Sequence, residues 1–366
     1  MNDSKRDLLR QIASKLTFAD SDTLLKLLDI LLSEEEARWI VALPATPKQL
    51  AARLNENEER IEAGLHNLFV RGLVFISEHT EQGPRYIADD NPGRFMDMIL
   101  FDPRYGHLGT GFFDLWRDFF NEELVHAPRS PDKLPFRVIP VEEKIEEQRG
   151  ILPYERVAEL VKQARRIVVQ ECPCRVRERE CDAPLETCIA LDNVADYVLS
   201  RQIGREIDVD EALAILRQAE ELGLVHEVEN TDQPTVICAC CPCCCVFLRA
   251  ITRYQKEYVV AKSRYRASID REKCAQCATC LERCHFGAIR REESGMMVDP
   301  ELCFGCGLCS STCPNGAITL IEVREAEHIP IAKETFLHGI DGVPKPQAET
   351  RRESTTGDNK SAKRHT

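Results

Sequence analysis

The sequence CAQCATCLERCHFGAI at residues 274–289 is repeated as CFGCGLCSSTCPNGAI at residues 303–318. Matched positions are offset by 29 residues (303 − 274), and each copy contains four cysteines with the spacing C-x2-C-x2-C-x3-C. Two identical runs of this kind indicate metal ligation, and they differ from zinc sites, whose cysteines come in separated pairs. The repeat contains eight of the eighteen cysteines, and the other ten precede it.

The repeat resembles that of bacterial-type ferredoxins, in which thiolates hold two cubane [4Fe–4S] clusters and the fourth cysteine of each run ligates the other cluster. The resemblance implies one cluster on Cys274, Cys277, Cys280 and Cys313, and a second on Cys303, Cys306, Cys309 and Cys284. The family has proline after the fourth cysteine, as at Pro314, whereas the first copy has His285. We expect His285 to be a tolerated turn residue; tuning of the reduction potential or proton acceptance is the alternative.

Ten further cysteines fit no ferredoxin pattern. They are Cys172, Cys174, Cys181, Cys188, Cys238, Cys240, Cys241, Cys243, Cys244 and Cys245. Six cysteines within positions 238–245 cannot all be buried core residues, so we expect a subset of the ten to form an additional metal site. We expect iron–sulfur rather than zinc there, because the repeat already commits the chain to that chemistry. Disulfides are disfavoured by the geometry of adjacent cysteines and by the expected compartment.

Three arginines, Arg175, Arg177 and Arg179, interleave with the first cysteines of this group. They would either lower the pKa values of the thiols and offset the charge of a thiolate-ligated cluster, or form simple surface charge. A predicted strand at 167–170 runs into the first cysteines, and a predicted hairpin at 225–238 runs into the later ones. We expect the two strand ends to bring both cysteine groups together.

All eighteen cysteines lie between residues 172 and 313, which is untypical of a disulfide-stabilised secreted protein. The first twenty residues lack the apolar run of a signal peptide, and no run of about 18 apolar residues predicts a membrane span. We therefore expect a cytoplasmic protein. The net charge of −13 disfavours non-specific nucleic-acid binding, and we find no glycine motif for a nicotinamide or flavin cofactor.

The expected fold class is α+β with several domains. These are a winged-helix-like domain at 1–90, a helical connector at 91–150, a cysteine-rich α+β metal-binding domain at 151–262, a dicluster ferredoxin domain at 263–325 and a tail at 326–366. From Pro344 onward the chain is polar and charged, so we expect disorder from about residue 344. In the connector, Phe112, Phe113, Trp116, Phe119 and Phe120 recur at helical spacing, which predicts a packed core face or, alternatively, a partner-docking surface.

The winged-helix prediction depends on a helix at 48–54, a second helix that ends at Gly72, and strands at 73–76 and 85–87. Residues 44–90 contain eight acidic and five basic side chains, a net charge of −3. A recognition helix normally presents Arg and Lys to phosphates. We therefore expect a docking or purely structural role rather than DNA binding.

Most of the chain resembles little-characterised multi-cluster iron–sulfur proteins of anaerobic bacteria, with a CxCR and a CxCCxCCC segment ahead of a dicluster ferredoxin. That resemblance implies no established activity. We expect an iron–sulfur electron-transfer protein that passes single electrons between redox partner proteins through two [4Fe–4S] clusters and the additional site. The alternatives are a subunit of an oxidoreductase with the ten-cysteine region as its reactive centre, and an iron–sulfur redox-sensing regulator.

Overall fold

The structure, a computed structural model, describes residues 2–128, 134–141, 152, 155–256, 259–293 and 295–330. Helices and strands both contribute to this part of the chain, which confirms the expected α+β class. The predicted disordered tail from residue 344 lies outside the described residues. No helix within the described ranges is long and apolar enough to cross a membrane.

The N-terminal part consists of helices and one β-hairpin. Its elements are α1 (Asp3–Lys15), α2 (Asp22–Leu31), α3 (Glu34–Val41), α4 (Pro47–Leu54), α5 (Glu58–Val70), β1 (Phe75–Thr80), β2 (Gly83–Ile87), α6 (Pro92–Leu100) and α7 (Thr110–Glu122). Capping boxes fix the starts of α3 and α4, with Ser33 paired to Glu36 and Thr46 paired to Gln49. Pro47 occupies the first position of α4, where its missing N–H costs no helical hydrogen bond.

Helix α5 packs very closely on α3. A Cβ atom at Gly64 would lie 2.1 Å from the Trp39 ring, so this approach requires glycine. Strands β1 and β2 pair antiparallel, with Phe75 opposite Ile87. The first strand begins two residues later than predicted, because Leu73 and the next residue still belong to the bend after α5.

The aromatic stripe of α7 is a core face. Phe112, Trp116, Phe119 and Phe120 are buried, and Phe113 is half-buried against the same core. The rings pack edge to face, for example Trp116 and Phe119, whose centroids are 6.0 Å apart. The packed-core prediction is confirmed, and the partner-docking alternative is wrong.

A seven-stranded sheet forms the centre of the molecule. The elements of this part are β3 (Phe136–Val138), α8 (Val157–Gln163), β4 (Ile167–Glu171), α9 (Pro173–Glu178), β5 (Glu186–Leu191), α10 (Asp192–Ser200), β6 (Arg205–Glu206), α11 (Val209–Glu221), β7 (Val225–Glu229), β8 (Val236–Cys240), α12 (Val246–Thr252) and β9 (Val260–Ala261). The strand order is β6-β4-β5-β8-β7-β3-β9, and only β3 and β9 are parallel neighbours among the described strands. The predicted connector at 91–150 is therefore not purely helical, since its strand β3 pairs with β7.

Side chains alternate between the two faces of this sheet. One face packs on α8 and α11 through residues such as Ile189 and Ile237. The opposite face carries Cys188, Cys238 and Cys240 and is covered by α6, α10 and the start of α12. The cysteine-bearing face is thus turned toward the interior of the molecule.

The cysteine repeat folds as a small module with its own core. Its elements are β10 (Tyr265–Ile269), α13 (Thr279–Arg283), β11 (Ile289–Glu292), β12 (Gly295–Val298), α14 (Leu308–Ser311) and β13 (Ile318–Glu322). Strand β10 pairs antiparallel with β13, and β11 pairs antiparallel with β12. The second pair brings Ile289 opposite Val298.

Candidate metal centres

The first candidate centre is a small cavity in the ferredoxin-type module, here called the outer cavity. Its cysteines are three from the first run and one from the second: Cys274, Cys277, Cys280 and Cys313. The remaining lining is largely apolar and includes Ile269, Met296 and Ile318. The four thiols that the ferredoxin resemblance assigns to one cluster thus face one cavity.

A second cavity of the same module, the inner cavity, is lined by the complementary set. Its cysteines are Cys284, Cys303, Cys306 and Cys309. Phe286 and Phe304 line it as well and stack with ring centroids 4.3 Å apart. Burial raises the pKa of the Cys306 thiol to about 12, so a metal that binds here must displace its proton.

The backbone of the module is shaped around these cavities. Gly305 has a φ of +72°, and a Cβ atom there would lie 2.1 Å from the carbonyl oxygen of Tyr265. In each half, one backbone N–H donates at 3.3 Å to the sulfur of the fourth cysteine: Ala288 to Cys284 and Ala317 to Cys313. Hydrogen bonds to sulfur are among the protein's means of tuning iron–sulfur clusters. The four thiols, the apolar lining and these donors fit a [4Fe–4S] cluster in each cavity.

The two cavities differ in their exposure. Cys277 of the outer cavity is exposed, whereas Cys303 and Cys309 of the inner cavity are buried. Cys306 packs against the main hydrophobic core, and its carbonyl oxygen accepts a hydrogen bond of 3.0 Å from the N–H of Val141. The module therefore turns its inner cavity toward the rest of the molecule and its outer cavity toward solvent.

Two side chains dock the module onto the C-terminal end of α11. Nη2 of Arg283 donates to the carbonyl oxygens of Glu220 and Glu221, both at 2.7 Å. Nε2 of His285 lies 2.7 Å from the carbonyl oxygen of Gly223, so Nε2 carries the proton in this contact. His285 thus has a docking contact that the prediction of a merely tolerated turn residue missed.

A third candidate centre lies inside the molecule, between the central sheet and helices α6, α10 and α12. It is a cavity of about 60 Å³ lined by six thiols, here called the six-thiol cavity. The six are Cys172, Cys174, Cys188, Cys238, Cys240 and Cys245. Apolar side chains such as Phe136 and Val198 complete much of its lining.

Strand ends and strand register bring these thiols together. Cys172 follows β4 directly, and Cys188 of β5 lies opposite Cys238 of β8 with their sulfurs 3.9 Å apart. Cys240 is the last residue of β8, and Cys245 is the N-cap of α12. For these six residues, the expectation that strands bring the two cysteine groups together is confirmed.

Hydrogen bonds link the six thiols in one continuous row. The order is Cys172, Cys174, Cys245, Cys240, Cys238 and Cys188. The bond from Cys172 lowers the pKa of Cys174 well below its ordinary value, and the bond from Cys188 does the same for Cys238. Within this row, the thiolate form is therefore favoured most at Cys174 and Cys238.

Buried arginines supply positive charge beside the thiols. Arg175 and Arg177 are almost completely buried, and only Arg179 lies at the surface. Arg175 donates to Oγ1 of Thr187 at 2.5 Å and to the carbonyl oxygen of Ala239 at 2.6 Å. The thiols that its charge reaches are Cys172, Cys240 and Cys241. The surface-charge prediction is therefore wrong for Arg175 and Arg177.

Two carboxyl groups at this centre were not predicted. Asp97 of α6 lines the cavity, and Oε2 of Glu227 lies 3.4 Å from the sulfur of Cys240. Burial raises the pKa of both carboxyl groups well above the ordinary range, and nearby thiolates add to the shift. Burial therefore favours the protonated form of each carboxyl group relative to an ordinary one. Two sequence signals could have indicated them. One is a single acidic residue in the apolar run 95–100, and the other is the presence of acidic residues within a buried strand.

The remaining four of the ten cysteines form a separate group, here called the four-thiol group. They are Cys181, Cys241, Cys243 and Cys244, and all four sulfurs lie within 4.8 Å of one another. None of them lines the six-thiol cavity. The ten cysteines thus form two groups, six at the cavity and four beside it, which the sequence did not predict.

Residues 267–320 match a family described as a 4Fe-4S dicluster domain. The match spans both cysteine runs and confirms that this module is an iron–sulfur domain of the ferredoxin type. A comparison with curated proteins finds no match to the chain. An iron–sulfur domain together with cysteine groups in the centre of the molecule fits a role in electron transfer.

Proposed function

We propose that this chain is an iron–sulfur electron-transfer protein that passes single electrons between redox partner proteins. The observation that carries the proposal is the arrangement of the two ferredoxin cavities. The outer cavity reaches solvent at Cys277, and Cys306 of the inner cavity packs on the core that also contains Cys240 and Cys245. This order suits the passage of electrons between a partner at the surface and a centre in the interior.

Two ligand sets follow from the ferredoxin pattern and the cavity linings. The outer cavity would hold one [4Fe–4S] cluster on Cys274, Cys277, Cys280 and Cys313, and the inner cavity a second on Cys284, Cys303, Cys306 and Cys309. A bound [4Fe–4S] cluster supplies a site for reversible uptake of one electron. Burial of Cys303 and Cys309 shields part of the inner cavity, whereas exposed Cys277 leaves the outer cavity accessible to a partner.

We further propose an iron–sulfur site in the six-thiol cavity. The six thiols that line one cavity would provide ligands there, and the buried charge of Arg175 would compensate their negative charge. The apolar lining keeps water away from such a site, which strengthens electrostatic interactions within it. This site would be the inner end of the electron path.

An oxidoreductase subunit is the second candidate function, and a surplus of ligand groups favours it. A cubane has four iron corners, whereas six thiols and Asp97 line this cavity and Glu227 adjoins it. Groups that bind no metal would be available to a substrate. A substrate-dependent change in the EPR spectrum of this site would favour the enzyme, and an unchanged spectrum would favour the relay.

We propose a structural winged helix for the N-terminal segment. The basic residues of α5 and its C-cap, Arg60 and Arg71, are paired with glutamates of α3, which leaves little free positive charge for phosphates. Phe69 and Phe75 pack on Tyr197 of the central part. These contacts favour a scaffold and disfavour the redox-sensing regulator that binds DNA.

Iron analysis of the anaerobically prepared full-length protein tests the main proposal. We expect about eight iron atoms from the dicluster module and an excess from the six-thiol cavity. Cys188→Ala should lose only the excess, whereas Cys309→Ala should lose iron from the inner cavity and keep the excess. Wild-type protein without the excess would remove the third site. Zinc in place of iron, with no EPR signal after reduction, would end the electron-transfer proposal.

A further inference from the structure

The four-thiol group has a much tighter geometry than the two ferredoxin cavities. Its sulfur–sulfur distances are 3.8 Å for the pairs Cys181–Cys241, Cys181–Cys244 and Cys243–Cys244. Among the described residues, the other group with ligand atoms this close consists of Glu227, Cys240 and Cys245. In neither ferredoxin set do all four sulfurs lie within 4.8 Å of one another, as they do in the four-thiol group.

These distances match a single tetrahedral metal ion. Four sulfurs that each lie about 2.3 Å from one zinc ion are about 3.8 Å apart along every edge of the tetrahedron. In a cubane, each cysteine binds a different iron, so the four sulfurs lie outside separate corners of an iron–sulfide cube. They must then be more widely spaced, as they are in the ferredoxin cavities. The four-thiol group is therefore too compact for a cubane.

The local chain also suits a closed zinc site. Cys241 and Cys244 have the C-x2-C spacing of structural zinc ligands, and with Cys243 they form the turn between β8 and α12. The N–H of Cys245 closes this turn with a bond of 3.1 Å to the carbonyl oxygen of Cys241. Cys181 comes from the segment after α9. A shared ion would thus join two segments that lie 60 residues apart in the sequence.

Nearby arginines balance the charge that such a site would carry. Four thiolates and one Zn²⁺ have a net charge of −2. The guanidinium of Arg175 lies between the two cysteine groups, because its charge reaches both Cys172 and Cys241. Nη2 of Arg177 is 3.4 Å from the carbonyl oxygen of Cys244. Arg177 also pairs with the buried carboxylate of Glu178 at 2.7 Å, so its charge is shared, and Arg175 is the nearer compensation for a site of charge −2.

We propose that Cys181, Cys241, Cys243 and Cys244 bind one zinc ion in a closed structural site. The ion fixes the segment after α9 and the turn between β8 and α12, which Cys240 and Cys245 of the six-thiol cavity flank directly. The inference departs from the expectation of iron–sulfur chemistry for the whole ten-cysteine region. It does not depend on what the six-thiol cavity holds.

Zinc analysis and X-ray absorption at the zinc edge, on anaerobically purified full-length protein, test this inference. We expect one zinc per chain, surrounded by four sulfurs at about 2.3 Å. Cys243→Ser should lose that zinc and retain its iron. The matched control Cys188→Ser, whose thiol lines the six-thiol cavity, should retain the zinc.

Three results would overturn the inference. They are wild-type protein without zinc, zinc with nitrogen or oxygen ligands, and a Cys243→Ser protein that keeps its zinc. The absorption measurement uses wild-type protein, so it decides the question even if the variant does not fold. Iron content and the EPR spectrum of the same samples test the electron-transfer proposal separately, because neither depends on zinc.

Discussion

Replacement of Arg283 by methionine should loosen the ferredoxin-type module from the central part of the molecule. The substitution keeps an apolar stem and removes the guanidinium, whose Nη2 donates to the carbonyl oxygens of Glu220 and Glu221. These carbonyls belong to the last turn of α11, where unpaired carbonyl groups carry the negative end of the helix dipole. The variant therefore loses both hydrogen bonds and a favourable charge–dipole contact.

The size of this loss follows from the geometry. A hydrogen bond from a charged donor contributes about 1.5–3 kcal/mol, and a cation at a helix C-terminus contributes about 0.3–1 kcal/mol. Arg283 is only partly buried, and water can replace it at the carbonyl oxygens. We therefore expect the substitution to cost about 2 kcal/mol of docking free energy in total. Because every 1.4 kcal/mol is tenfold, the separated state of the module should become about 30-fold more populated.

Amide hydrogen exchange measures this population at the same interface. The N–H group of Val141 in the central part bonds to the carbonyl oxygen of Cys306 in the module, and its exchange should accelerate by about 30-fold in Arg283→Met. Arg290→Met is the matched control, because among the described residues the ion pairs of Arg290 are with Glu292 and Asp299 of the module itself. Unchanged exchange in Arg283→Met, or equal acceleration in both variants, would refute the docking argument.

Three further substitutions test the metal centres. Cys313→Ala should remove iron from the outer cavity, although Cys313 lies in the second cysteine run. If EPR shows loss of the inner centre instead, Cys313 does not bind the cluster of the first run. Gly305→Ala should block iron assembly in the inner cavity through backbone strain of about 1–2 kcal/mol and a clash with a backbone carbonyl. Gly287→Ala, with a similar φ and open space, should retain the iron. Arg175→Met should lower the free energy of unfolding in urea by about 3 kcal/mol, since it leaves buried acceptors and thiolates unpaired; the surface variant Arg179→Met should change it by less than about 1 kcal/mol.

The ferredoxin-type module could be predicted in detail because its constraints are local. A cluster that binds three cysteines of one loop requires a fixed spacing between them, and that spacing occurs in both copies of the repeat. The strand period likewise puts Cys238 and Cys240 on one face of β8. Residues 241–244 form a turn, in which side chains do not alternate between two faces. The sequence therefore does not show that these cysteines belong to a different group from Cys238 and Cys240.

Contacts between distant segments could not be predicted. His285 departs from the family's proline, and its partner is the carbonyl oxygen of Gly223, 62 residues earlier in the chain. Gly223 follows the C-cap of α11 with a φ of +80°, and nothing in the local sequence links it to residue 285. Gly223 also faces Arg283, since a Cβ atom there would lie 2.6 Å from the guanidinium. The docking site is therefore formed by two segments that are distant in the sequence, and a sequence pattern within either segment does not predict their contact.

The cysteine-free N-terminal half acquires a role from its position at the six-thiol cavity. Asp97, Met98 and Phe101 line that cavity from α6 and from the residue that follows it, although the sequence assigns them to a connector. A centre closed by these side chains is shielded from water, and interactions between charges are stronger in such surroundings. An electron added to a cluster bound there would meet buried carboxyl groups and the fixed charge of Arg175 rather than solvent. The N-terminal half would thus set the reduction potential of the inner site by closing it.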